Sequence, residues 1–253
     1  MRQDERAPFV EALRRARLSA YAPGEFVEQE SFMLASEILG LARRAGIAPG
    51  VAVLDLCCGV AGPGRLIARE LDCTYLGLDS SSSAIEIARE RAAGLPCRFE
   101  VALVPAIPPG PFDVVLLLET MLAFPDKQRL LEVVASVLPV GGRFAFTLEE
   151  GLPLGEQERA GMPDADTVWL VPLEQMLAGL ERVGLIVRLQ EDHSASHLAV
   201  AEDLTAAFGA DAAAISAQIG SRALEELLAA HRLWSDWLRR GRVRKLALVA
   251  EKL

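Results

Sequence analysis

The sequence predicts an α/β fold: a doubly wound, mostly parallel seven-stranded sheet with helices on both faces. Helices before the first strand and a helical insertion before the last would act as a cap. Three observations carry this. Short apolar runs alternate with amphipathic segments from residue 51 to 192, the pattern of strands joined by crossover helices. The first apolar run ends in a glycine-rich turn, V-L-D-L-C-C-G-V-A-G-P-G at 53–64, where a backbone can bend sharply and approach a ligand. The last apolar run, 243–252, comes only after an Ala-rich helical stretch at 198–240.

Taken in order, residues 6–18 and 27–46 have helical period, with Y-A-P-G-E-F at 21–26 between them and a Pro-Gly turn at 49–50. V-A-V-L-D-L at 51–56 reads as a buried strand, 64–71 as a helix, 74–79 as a strand and 83–94 as a helix. Strands follow at 97–103 and 112–118, then a helix at 126–138, a Gly-Gly turn and a strand at 143–150. A helix at 172–184 and a strand at 185–192 complete the alternation. The helical stretch is broken near Gly209 and Gly220. The expected organisation is one domain over 1–253. Its N-terminal cap is 1–48, its core is 49–192 with 243–253, and its cap insertion is 193–242.

Composition narrows the function classes. The chain has 253 residues, 51% apolar and 24% charged, enough for a sizeable core. Its net charge of −9 repels phosphate backbones and anionic lipid. The N-terminus lacks the apolar core of a signal peptide, and V-V-L-L-L at 114–118 is too short to span a bilayer. A soluble, cytoplasmic protein without nucleic-acid or membrane partners is expected, with its oligomeric state open. Cys57, Cys58, Cys73 and Cys97 form no C-x-x-C pair and no zinc spacing. They are expected as small packing residues.

In sheets of this kind ligands bind beyond the carboxyl ends of the strands, where the strand order switches. Gly59, Gly62 and Gly64 leave the first such end without Cβ atoms in the way. Asp79 closes the second strand, where a carboxylate can accept hydrogen bonds from both hydroxyls of a ribose. The pair points to an adenosine-type ligand. The dinucleotide fingerprint G-x-G-x-x-G is not met: the glycines run G-V-A-G-P-G, and Asp55 sits inside the strand.

An acid followed by glycines resembles the first motif of the class I S-adenosylmethionine (SAM) methyltransferases, acid-x-Gly-x-Gly-x-Gly. Cys57 and Ala61 stand where that motif has its first and third glycines. G-L-D-S-S-S-S-A-I-E-I-A-R-E-R at 77–91 is similar to the family's second motif, and P-F-D-V-V-L-L-L-E-T-M-L-A-F at 111–124 to its fourth-strand motif. The segment 130–150 resembles the fifth-strand motif. The segment 172–192 resembles the helix and sixth strand of members that act on small molecules. The resemblance covers about 30–192 and 243–252. It implies a Rossmann-like fold, SAM as cofactor and S-adenosylhomocysteine (SAH) as product. The methyl group would pass by direct displacement to a nitrogen, oxygen or carbon of a small molecule. It also implies site residues. Asp55 would act on the methionine amino group through the loop formed by Cys57, Gly59 and Gly62. Asp79 would hold the ribose beside Ser80. Leu103 and Val104 would lie at the adenine, where many members carry an aspartate. Tyr21 belongs to a segment that closes over the cofactor.

Glu119 ends the fourth strand, where the reactive methyl would point. It is the candidate catalytic residue, able to accept a proton or orient an amine, and equally a candidate to contact the cofactor or cap a helix, and it tilts the acceptor slightly toward an amine. His193 and His197 have the H-x-x-x-H spacing that suits a metal on a helix. The segment starts at a strand end, however, so no metal is expected, and a surface or capping role is read first. His193 is also a candidate base, since histidine titrates near neutrality. Ser80 or Ser83 should cap the next helix, Ser83 with Glu86 having capping-box spacing. Glu149 and Glu150 should be solvated or serve as caps. Arg239, Arg240, Arg242, Arg244 and Lys245 read as a solvated helix end. Two other classes remain open: a non-catalytic methyltransferase-like binding or partner protein, and a nicotinamide-dependent oxidoreductase.

Overall fold

The computed structural model describes residues 10–162 and 165–253. Strands β1 (Ala52–Leu56), β2 (Thr74–Asp79), β3 (Cys97–Val101), β4 (Val114–Leu117), β5 (Arg143–Glu150), β6 (Leu185–Asp192) and β7 (Arg244–Lys252) form one sheet. Its order is β3-β2-β1-β4-β5-β7-β6. The pairs from β3 to β5 are parallel, and β7 runs antiparallel between β5 and β6. The order reverses between β1 and β4, so a crevice opens beyond Leu56 and Leu117, as crossover geometry requires.

The helices are α1 (Glu11–Ala20), α2 (Ala35–Arg44), α3 (Gly62–Leu71), α4 (Ser82–Arg91), α5 (Lys127–Val137), α6 (Glu156–Gly161), α7 (Leu173–Arg182), α8 (Ser194–Ala210), α9 (Ala212–Ile219) and α10 (Ser221–Arg239). Alternate strand residues face opposite ways, and the two cores follow that parity. Val53, Tyr75, Phe99, Val114, Ala145 and Val249 pack under α2, α3 and α4. Leu54, Leu76, Val115, Phe144, Phe146 and Leu248 pack under α5 and α7. Fully burying a side chain of this size contributes roughly 1.5–3 kcal/mol. A third cluster joins Leu13 and Ala16 of α1 to Leu204 and Phe208 of α8, Ile215 of α9 and Leu224 of α10. None of the helices among the described residues is long and apolar enough to cross a membrane.

Three expectations need correction. The helix read over 27–46 is α2 alone, and residues 25–34 form an irregular strap. Gln29, 2% exposed, holds that strap: its Oε1 accepts from Val27 N–H at 2.6 Å, and its Nε2 donates to the carbonyls of Glu25 and Met33 at 2.8 Å each. These bonds satisfy buried backbone groups that a helix would otherwise satisfy. The cap of α4 is Ser81, whose Oγ accepts from Ala84 N–H at 3.2 Å, rather than Ser80 or Ser83. The break read near Gly209 falls at Asp211. Of the first expected helix, 6–18, residues 6–9 lie outside the described residues.

Candidate functional site

The turn after β1 is left-handed at three alternate positions. Cys57, Gly59 and Ala61 have φ of 59°, 55° and 57°, the places of the three motif glycines. A side chain in that region costs roughly 1–2 kcal/mol, so Cys57 and Ala61 are held by their surroundings. Cys58 N–H donates to Leu78 O and Ala61 N–H to Cys58 O, both at 2.9 Å. Burial, with Asp79 and Asp55 nearby, pushes the Cys57 thiol up to about 12, so it is no thiolate at neutral pH. All four cysteines are free thiols. Gly62 opens α3 under the strap: a Cβ there would lie 2.1 Å from the carbonyl oxygen of Val27.

Asp79 reaches across to this turn. Its Oδ2 accepts from Gly59 N–H at 2.9 Å and its Oδ1 from Ser81 N–H at 2.8 Å. Asp55 is 3% exposed, and Tyr75 donates its hydroxyl to Oδ2, while Oδ1 is buried without a hydrogen bond. Burial pushes the Asp55 carboxyl up to about 7. The Tyr75 hydroxyl opposes the shift, and Asp79 adds to it.

A carboxyl with a raised folded pKa contributes stability that is present below its unfolded value, near 4, and lost as pH rises through about 7. The unfolding free energy of the ligand-free protein is therefore expected to fall between about pH 5 and about pH 7.5, by at most roughly 1.4 kcal/mol per pH unit. Urea denaturation of the wild type and of Asp55→Asn at both pH values checks this. Equal slopes in the two proteins would remove Asp55 as the source.

Two cavities meet at the strap. The first, of about 270 Å³, is lined by Asp55, Cys57, Gly59, Gly62, Asp79 and Glu119, together with Glu28–Met33 residues of the strap other than Phe32. The second, of about 430 Å³, takes Tyr21, Phe32, Leu204, His231, Trp234 and Lys245 into its wall. Gln29, Glu30, Ser31 and Glu119 line both. Tyr21 donates its hydroxyl to Ser31 O at 2.5 Å, and Glu28 pairs with Arg14, Arg65 and Arg91, so the strap is tied to α1, α3 and α4. Ser80 is exposed, Leu103 is 72% exposed and Val104 is half-buried, and none of the three lines either cavity.

Beneath the junction lies a buried charge cluster. Lys245 is 4% exposed and donates to Glu119 Oε2 at 2.8 Å and to Glu149 Oε1 at 2.7 Å. Its ammonium sits 5.6 Å and 5.4 Å from the ring centres of Phe32 and Trp234. Burial alone would raise the Glu119 carboxyl, but Lys245 and His197 hold it well below the ordinary carboxylate range. Burial would likewise lower Lys245, and Glu119 and Glu149 raise it instead. Glu119 takes φ 56° and donates its backbone N–H to Thr147 Oγ1 at 2.5 Å, a strained position of the kind that clusters at functional sites.

This corrects the solvated roles read for Glu149 and Lys245. Lys245 lies on β7, not on a helix end. The missed signal was strand parity, since Lys245 shares a face with Ala247 and Val249, both buried. His193 does stand at the N-cap position of α8, but His197 is 1% exposed and no surface residue. Neither histidine lines either cavity.

A family profile described as a methyltransferase domain matches residues 53–142. The methyltransferase GfsG of Streptomyces halstedii is 34% identical over 112 residues, 42% of this chain and 40% of that protein. The chain thus spans well under two thirds of that curated relative. Among solved structures, the cyclopropane synthase MmaA2 of Mycobacterium tuberculosis superposes with a TM-score of 0.82 at 15% identity, over 98% of this chain and 96% of that one. The phosphoethanolamine N-methyltransferase 2 of Haemonchus contortus, in complex with phosphomonomethylethanolamine and SAH, does so with a TM-score of 0.79 at 18% identity, over 99% and 59%. At these identities the structures speak to the fold, which is the same α/β sheet. Sequence match and fold agree: residues 53–142 match a methyltransferase domain, and the whole chain has the fold of these methyltransferase and cyclopropane-synthase structures.

Proposed function

We propose that the protein transfers a methyl group from SAM to a nitrogen, oxygen or carbon of a small molecule, leaving SAH. The observation that carries this is Asp55, buried beside the first cavity with one carboxylate oxygen unpaired. Such a group lacks its partner, and an α-ammonium supplies one. Asp79 fits a ribose, because each oxygen already bonded to a backbone N–H keeps a second lone pair. The cofactor brings the activated methyl and its leaving group, so the chain's contribution is binding, alignment and exclusion of water.

The second cavity combines apolar and aromatic walls, Phe32, Leu204 and Trp234, with charged and polar groups, Arg17, Glu30, Glu119, His231 and Lys245, and so supports an acceptor that has both an apolar body and polar groups. Lys245 bonds to Glu119, which lines the cavity, and to Glu149 behind it, and the Glu119 carboxylate at the wall supports a slight preference for an amine. Residues 1–48 and 193–242 read as the cap over a core of 49–192 and 243–253. Glu119 would act at the acceptor. His193, outside both cavities, has less support as a base. The net charge of −9 supports the absence of nucleic-acid or anionic-membrane partners.

Calorimetric titration with SAM, SAH and NADH tests the reading. Micromolar binding of both sulfur compounds, none of NADH, and at least tenfold weaker SAM binding by Asp79→Ala are expected. Affinity for SAM should also rise with pH up to about 7, since an ammonium prefers ionised Asp55. Failure of both sulfur compounds to bind would move the non-catalytic reading to first place.

A further inference from the structure

We propose that Glu37, His193 and His197 form a binding site for a divalent transition-metal ion of the zinc type, between α2 and the start of α8. His193 links β6 to α8 and His197 lies one turn further on, while Glu37 comes from the first turn of α2. His193 Nδ1 stands 3.8 Å from Glu37 Oε1, and His197 Nε2 stands 3.4 Å from Glu37 Oε2. One donor atom from each residue falls within 4.8 Å of the other two. A tetrahedral ion with bonds of ~2.0–2.1 Å holds its donors ~3.4 Å apart, so modest rotamer shifts close the site.

Hydrogen bonding does not account for these histidines. His197 is 1% exposed, and both of its ring nitrogens are buried without a hydrogen bond, as is His193 Nδ1. Buried polar atoms are normally paired. The far nitrogen of each ring instead faces a carboxylate: His193 Nε2 is 3.6 Å from Glu191 Oε2, and His197 Nδ1 is 3.8 Å from Glu119 Oε2. A carboxylate behind each ligating histidine fixes the ring's tautomer and makes its other nitrogen a better ligand. Glu37 is oriented in the same way, accepting from Ser196 Oγ at 2.5 Å and from Leu34 N–H at 3.0 Å.

Two imidazoles and one carboxylate select zinc, cobalt or iron(II) over magnesium and calcium, which prefer oxygen ligands throughout. The His193 and Glu37 side chains are each 14% exposed, which gives the ion a way in from solvent. None of the three residues lines either cavity, so the ion lies behind the cavity walls and not within them. It fastens α2 to α8, and through His197 it abuts Glu119.

The test is titration of untagged, chelator-treated full chain with cobalt(II), followed by visible absorption, and with zinc(II), followed by calorimetry. One equivalent of either ion should bind at micromolar or lower Kd, with cobalt giving the absorption of a nitrogen-ligated low-symmetry site. His193→Ala and Glu37→Gln should each weaken binding at least tenfold, while His231→Asn, at the remaining histidine, should leave it unchanged. Circular dichroism of the variants establishes that they are folded. The wild-type titration stands even if a variant does not fold: no cobalt absorption, or only millimolar affinity, overturns the proposal. So does unaltered affinity in folded His193→Ala.

Discussion

Replacing Lys245 with methionine should destabilise the protein by about 3–5 kcal/mol, the cost of removing one partner from a buried ion cluster. Lys245 is the ammonium between Glu119 and Glu149, which are buried and bonded to it at 2.8 Å and 2.7 Å. Methionine fills a similar volume beside Phe32 and Trp234, so lost packing is a small part of the effect. What remains is Glu149 without a counter-ion and Glu119 facing only His197, at 3.8 Å. The triple variant Lys245→Met, Glu119→Gln, Glu149→Gln should therefore regain most of the loss, because it removes the unpaired charges as well. Urea denaturation of the wild type, the single variant and the triple variant reads this directly. A single variant within about 1 kcal/mol of wild type would mean the cluster is solvated in the working protein.

Gly62→Ala is the second change with a large expected effect. The added methyl would meet Val27 O at 2.1 Å and the backbone of Glu28 at 2.7 Å and 2.8 Å. These are backbone atoms of the strap, not the ends of flexible side chains, so the strap itself must move. Overpacking of this kind costs roughly 1–3 kcal/mol. The loss of cofactor affinity should be larger than the loss of stability, because Glu28, Gln29, Glu30, Ser31 and Met33 line the first cavity. A tenfold or greater fall in SAM affinity, with a folded protein by circular dichroism, is expected. Unchanged affinity would show that the strap plays no part in binding.

Much of the core was legible in the sequence because its signals are local. β2, β5 and β6 have the bounds that their apolar runs predict, and β7 begins one residue later. Asp55, Gly59 and Asp79 come together because adjacent parallel strands place consecutive loops side by side. The strap was not legible, since the hydrogen bonds of one buried glutamine have no periodicity. The charge cluster joins residues 126 and 96 positions apart. Only the insertion of β7 beside β5 brings them together, and that pairing leaves no mark in either segment alone. His197 was equally hidden, because α8 buries Val200, Ala201, Leu204 and Phe208 together with it and shows no strong polar face.

The wall common to the two cavities makes their occupants thermodynamically dependent. Gln29, Glu30, Ser31 and Glu119 face both spaces, so whatever ordering of these residues the first ligand brings about is inherited by the second. By linkage the factor is the same in either order of addition. A segment that carries no repeating pattern and no charge run thus becomes the place where affinity for one compound is written into affinity for the other.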